Sequence, residues 1–155
     1  IRDRTGSILK LNITGKKGIN LSKFWSKGPK SFLGLLVPNF PNLFIVSGPG
    51  SPSVLTNVPV QIEQHVNWIT NCIKYLEKNR KKSIETTNLA AKKWQKEIMN
   101  SVKKTLFMKA KSSWYKGDNI PGKPKTFLPY PGGMPKYKNE CIKVEKNKYK
   151  ELKIS

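Results

Sequence analysis

The chain has 155 residues, room for one domain with a modest core. Its 30 Lys plus Arg against 9 Asp plus Glu give a formal charge of +21, which draws anions: nucleic acid, acidic membrane surfaces or phosphorylated small molecules. No apolar run approaches the roughly 20 residues of a membrane span, and two cysteines without CxxC or Cys/His spacing argue against a structural zinc site and for free thiols in a reducing, cytoplasmic setting.

The kind of basic residue matters as much as the number. Only Arg2, Arg4 and Arg80 are arginines, and bidentate phosphate or base-edge recognition favours arginine. The lysines are spread along the chain rather than gathered on one element. A Lys-rich solvated surface is therefore the leading reading, and a nucleic-acid or anionic-surface binding module is the alternative.

The chain opens on Ile1 with no charged n-region and apolar h-region behind it, so no signal peptide is visible, and it reads as part of something longer. Residues 5–15, TGSILKLNITG, alternate loosely and predict a short strand or pair of strands. Breakers at Gly28-Pro29 and from Pro38 to Pro41 make the next segment irregular. LFIVS, residues 43–47, is a continuous apolar run, the pattern of a strand buried on both faces. A glycine-proline turn follows over 48–57, SGPGSPSVLTN with its leading serine. Pro59 then fits a first helical position, with Asn57 or Thr56 as cap. Ile62, Val66, Ile69, Ile73 and Leu76 recur at three and four residues and predict the inward face of a helix over about 59–79. A second helix is expected over about 87–105, with Leu89, Trp94, Ile98 and Val102 inward. From 108 to 135 the chain is dense in glycine, proline and aromatics and reads as a loop. The charged tail, 136–155, is expected to cover an edge.

A buried strand, a glycine turn and a helix start make a site for an anion or a negative dipole edge, because the first N–H groups of the helix are unpaired and carry the positive end of the macrodipole. Gly48 and Gly50 would let a ligand approach the backbone closely. An ordinary strand-to-helix connection is the competing reading, since the turn does not match GxGxxG. The sole histidine, His65, reads as a helix-packing residue rather than a base, and Trp68 and Trp94 as core. No paired carboxylates, Ser/His/Asp set or metal cluster is visible, so no catalytic or metal residue is assigned.

Two long stretches carry a specific likeness. GPKSFLGLLVPNFPNLFIVSGPGSPSVLTNVPVQIEQHVNWI and TLFMKAKSSWYKGDNIPGKPKTFLPYPGG resemble the C-terminal part of flavin-dependent Baeyer–Villiger monooxygenases, of the cyclohexanone and phenylacetone monooxygenase type. The opening, TGSILKLNITGKKGINLSKFW, is similar in order and spacing.

The resemblance implies an α/β fold: the C-terminal portion of an FAD-binding, Rossmann-like domain (1–107), a mobile cofactor and substrate loop (108–135) and a tail (136–155). The whole would be a larger flavoprotein with two dinucleotide-binding domains, using FAD, NADPH and O2 to convert a ketone to an ester or lactone. The family's glycine-rich motifs, its fingerprint and its assisting arginine lie outside these residues, so the partner implied is the N-terminal remainder of the enzyme. By the same resemblance, Gly48, Pro49, Gly50, Ser51 and Pro52 would lie along the flavin, with Asn57 and Val58 beside its ring. Trp114 would reach the nicotinamide cofactor. Ser53, Val54, Leu55, Thr56, Leu128 and Pro129 would border the ketone pocket. Asp118 stands where the family usually has a small residue. An N- or S-oxidising flavin monooxygenase and an inactive truncated fragment are the remaining alternatives.

Overall fold

The computed structural model describes residues 5–52, 55–103, 105–109, 115 and 126–155. Among these residues five α-helices dominate: α1 (Gly6–Lys10), α2 (Leu21–Phe24), α3 (Val58–Lys78), α4 (Asn88–Lys103) and α5 (Met134–Lys146). Two short strands, β1 (Ile84–Glu85) and β2 (Lys153–Ile154), pair antiparallel with Ile84 opposite Ile154. The chain is mixed α/β, and among the described residues this pair is its only sheet. No helix among them is long and apolar enough to cross a membrane.

The N-terminal strands predicted over 5–15 are not there. One helical turn, α1, and an isolated bridge between Thr14 and Asn20 take their place. Ile8 and Leu9 both pack on a cluster of Leu21, Trp25, Val37 and Phe40. Neighbouring residues can share a target from a helical turn, whereas a strand sends them to opposite faces. Asn20 then starts α2, its Oδ1 accepting from the Ser22 N–H at 2.9 Å.

The strand predicted over 43–47 shrinks to a single bridge, Leu36 to Phe44. Its backbone neighbour is itself turning, with Leu33 at φ 56° and Gly34 at φ 70°, so no ladder extends. Val46 is 43% exposed and Ser47, at φ 57°, turns the chain away. The segment buried without interruption is 31–38 instead. Several of its backbone polar groups are paired internally or by neighbours. Phe32 N–H donates to Leu36 O at 2.8 Å, Ile45 N–H to Leu35 O at 2.9 Å and the Tyr137 hydroxyl to Leu33 O at 2.6 Å.

α3 also departs from its reading. Gln61, His65, Trp68, Cys72 and Leu76 face inward, while Ile62, Val66 and Ile73 are 40%, 48% and 42% exposed. The helix is rotated from the face that hydropathy selects, because its buried polar residues hydrogen-bond to the 47–51 turn and to α5. α4 behaves closer to expectation. Trp94, Ile98 and Val102 are buried, Leu89 is exposed, and Thr87 Oγ1 accepts from the Ala90 N–H at 3.0 Å.

The charged tail forms α5, which packs Tyr137, Cys141 and Val144 against α3 before β2 returns to β1. Trp68 joins the two helices: its indole N–H donates to Cys141 O at 3.1 Å, and its ring meets Tyr149 edge-on at 5.6 Å.

Candidate functional site

The turn at 47–52 runs into the N-terminus of α3, and it is held from four sides. From the 31–38 segment, the Ser31 hydroxyl donates to Pro49 O, and the Gly34 carbonyl lies against Gly48. From α4, the Trp94 indole N–H donates to Gly50 O at 2.9 Å. From the 126–130 strap, Gly50 N–H donates to Leu128 O at 2.6 Å, and Tyr130 N–H donates to Ser51 O at 2.8 Å. From α3, the Gln61 amide N–H groups reach Ser47 Oγ and Ser51 Oγ, each at 3.1 Å.

His65 adds a second tie from α3 beside Gln61 and sets its own tautomer by doing so. The Ser47 N–H donates to Nδ1 at 3.0 Å, which requires that nitrogen to be unprotonated. Nε2 lies 2.8 Å from the Tyr137 hydroxyl, whose own proton goes to Leu33 O at 2.6 Å. The consistent arrangement is a relay: His65 Nε2–H to Tyr137 Oη–H to the Leu33 carbonyl. Burial lowers the His65 pKa to about 4, so the ring is neutral at physiological pH. Burial also pushes the Tyr137 phenol well above its usual range and keeps its proton in place.

These ties reassign the glycines. A Cβ at Gly48 would stand 2.4 Å from the Gly34 carbonyl oxygen. At Gly50, φ is 93° and a Cβ would meet Ser31 Oγ at 2.9 Å and Trp94 Nε1 at 3.1 Å. The close approaches these positions permit are to the chain itself, and the N–H and C=O of Gly50 and Ser51 are committed internally. What remains for a ligand is the start of α3. Asn57 caps it through Oδ1, 3.4 Å from the Val60 N–H, and the first turn carries no acidic residue. Gln61, fully buried one turn further on, has an Oε1 with no hydrogen-bond partner among the described residues.

The predicted site residues fall into three groups. Gly48, Gly50, Ser51, Pro52, Leu128 and Pro129 are buried together around the turn, with Pro49 half-buried among them. Leu55 and Thr56 are half-buried, and Asn57 and Val58 are exposed at the helix start. Ser53, Val54, Trp114 and Asp118 lie outside the described residues. The sequence reading missed Ser31, Gln61, His65 and Tyr137 as the groups that shape the turn, and it held Trp94 to be core alone. The available signal was Gln61 and His65, four residues apart on one helix face.

No protein-family model matches the chain. Among curated proteins it is 38% identical over 149 residues to a cyclohexanone 1,2-monooxygenase of Acinetobacter sp, covering 96% of this chain and 27% of that protein. It is 35% identical to a Baeyer-Villiger monooxygenase of Pseudooceanicola batsensis, over 95% of this chain and 26% of the relative. A phenazine N-monooxygenase of Lysobacter antibioticus is 37% identical over 90% of the chain and 25% of its own length. Among solved structures, an oxidized steroid monooxygenase bound to NADP superposes with a TM-score of 0.88 at 37% identity, over 97% of this chain and 27% of that one. The chain thus spans about a quarter of the length of the relatives it matches.

Proposed function

We infer, from a chain that is homologous over nearly its whole length to one segment of the Baeyer–Villiger monooxygenases, that it belongs to an NADPH- and O2-dependent flavoprotein that oxidises a ketone to an ester or lactone. The likeness of sequence and backbone over 97% of the chain carries this reading. FAD, when bound, supplies the redox chemistry that places one atom of O2 in the substrate. This chain's contribution is binding and shape.

The residues present suit that role. α3 is 21 residues long, starts without an acidic side chain and offers its N-terminal dipole to an electron-rich carbonyl edge such as the flavin's. Asn57 and Val58 would stand beside the ring. The Gly48–Pro52 turn, braced by Trp94, Gln61 and His65, would set the position of that helix start to within the tolerance that cofactor binding needs. Leu55, Thr56, Leu128 and Pro129, with Ser53 and Val54, would line the ketone side. Trp114 would meet the nicotinamide cofactor. The Rossmann-like sheet would come from the N-terminal remainder of the enzyme. That remainder would also cover the outward stripe of Val58, Ile62, Val66 and Ile73, which leaves an unusual amount of β-branched surface exposed on one helix face. The two buried thiols, Cys72 and Cys141, fit a cytoplasmic protein.

The experiment is NADPH oxidation by the flavin-loaded, natural-length protein against a panel of cyclic and aryl ketones, with product analysis. Ester or lactone that depends on ketone, and falls when Trp114 is changed to Ala, supports the reading. A second reading, oxidation of a nitrogen or sulfur atom, has the phenazine N-monooxygenase relative in its favour. It predicts NADPH oxidation and oxidised heteroatom with no ester. Absence of flavin from the natural-length protein would overturn both.

A further inference from the structure

A cleft of about 290 Å3 lies between the turn at 27–30 and one face of α4, and its described lining includes none of the residues 47–52. Its walls divide by chemistry. Pro29, Ala91 and Met99 supply an apolar floor, Gln95 adds one amide, and Lys27, Lys30 and Lys92 stand at the rim. No carboxylate among the described residues lines it. Among the described residues, none of the three lysines is in an ion pair.

The cleft is shaped by held backbone rather than by side chains alone. Gly28 N–H donates to Trp25 O at 2.9 Å, and the Trp25 indole N–H donates to Lys30 O at 3.1 Å. Gly28 sits at φ 108°, a conformation that a residue with a side chain rarely adopts. Trp25 itself is 4% exposed, so the turn is fixed to the core. On the other wall, Ala91, Gln95 and Met99 recur at helical spacing, roughly a quarter turn round α4 from Trp94 and Ile98. Asn88 places the first turn of α4, with its positive dipole end, at the same cleft.

We propose that this cleft binds a small organic anion, one with an apolar body and a phosphate or carboxylate head. The apolar floor takes the body, and Lys27 and Lys92 take the head, assisted by Gln95 and the start of α4. Lys30 also lines the cleft, with its Nζ held 5.6 Å over the Phe24 ring. The volume is at the small end of the range for small-molecule sites, about 300 Å3 and upward, which limits the body to about one ring. The charge of the chain as a whole does not account for the preference: a solvated lysine surface attracts every anion alike, whereas an apolar floor beneath lysines selects anions that carry apolar area.

The test titrates the natural-length protein with phenyl phosphate, phenol and inorganic phosphate by calorimetry at moderate salt. Phenyl phosphate is expected to bind at least about tenfold more tightly than either half-molecule, and the Lys27→Gln/Lys92→Gln pair is expected to weaken it by tenfold or more. The pair Lys74→Gln/Lys78→Gln, exposed on α3, removes the same charge elsewhere and is expected to leave binding unchanged. Equal loss in both pairs would mean charge alone and would overturn the proposal. So would equal affinity for inorganic and phenyl phosphate, or no phenyl phosphate binding. The readout involves neither flavin nor NADPH oxidation, so its failure is separable from failure of the monooxygenase reading.

Discussion

Acid should loosen the turn at 47–52 through His65, and the size of the effect follows from its surroundings. The folded ring is neutral, because Nδ1 accepts from Ser47 and burial lowers its pKa to about 4 against an ordinary 6.5. An unfolded chain binds a proton on this side chain near pH 6.5; the folded one waits until about pH 4. The folded state is therefore at full strength above 6.5 and loses stability as pH falls through that window. Each pH unit within it costs about 1.4 kcal/mol, so the loss is about 2 kcal/mol by pH 5 and about 3 kcal/mol by pH 4. Tyr137, the other titratable group in contact, keeps its proton throughout. The assay is urea denaturation followed by tryptophan fluorescence at pH 7, 6 and 5, on wild type and on His65→Gln, which keeps an acceptor for Ser47 without a titratable ring. The variant is expected to be less stable at pH 7, and its deficit is expected to shrink by about 2 kcal/mol by pH 5. Carboxylates elsewhere titrate in both proteins and cancel in the difference. A difference that stays flat from pH 7 to 5 would refute the neutral, buried relay.

Three further outcomes are expected. Trp94→Phe keeps the stacking on Tyr130 at 4.9 Å but leaves the Gly50 carbonyl buried without its donor, at a cost of about 1–3 kcal/mol in denaturation midpoint analysis. In the natural-length protein the same change should lower retained flavin, and unchanged flavin content would mean that the turn does not seat the cofactor. Gly48→Ala drives a methyl to 2.4 Å from the Gly34 carbonyl and is expected to cost about 1–3 kcal/mol, whereas the same change at Gly18, which meets nothing within 4 Å, introduces no clash and tests only its φ of 70°. Cys72 and Cys141, buried and pushed up to about 12, should resist a thiol reagent in the native protein at pH 8 and react at once in denaturant. Rapid labelling of the folded chain would contradict their placement against α3 and α5.

Much of the local structure is legible in residue order. Asn57 and Pro59 mark the start of α3, and Thr87 marks α4, because capping and the first helical turn depend on residues within four of one another. The wording of the 47–57 turn is likewise enough to point to a helix-start site. Three features were not readable that way. The apolar run at 43–47 lacks its strand because a strand needs a straight neighbour, and the neighbour turns at Leu33 and Gly34. Ile62, Val66 and Ile73 of α3 point outward, while Ile69 and Leu76 keep to the core, because Gln61 and His65 find partners in the turn, on Ser47 and Ser51, and across α5, on Tyr137. The glycines at 48 and 50 prove necessary for contact with Gly34 and Trp94, residues 14 and 44 positions away. Sequence alone therefore determined where α3 and α4 begin and the turn that leads into α3, since those are short-range matters of capping and torsion. Only the tertiary structure decided which face of α3 is inside, because a buried hydrogen bond left unmade costs more than one exposed valine or isoleucine, and its partners are distant in sequence.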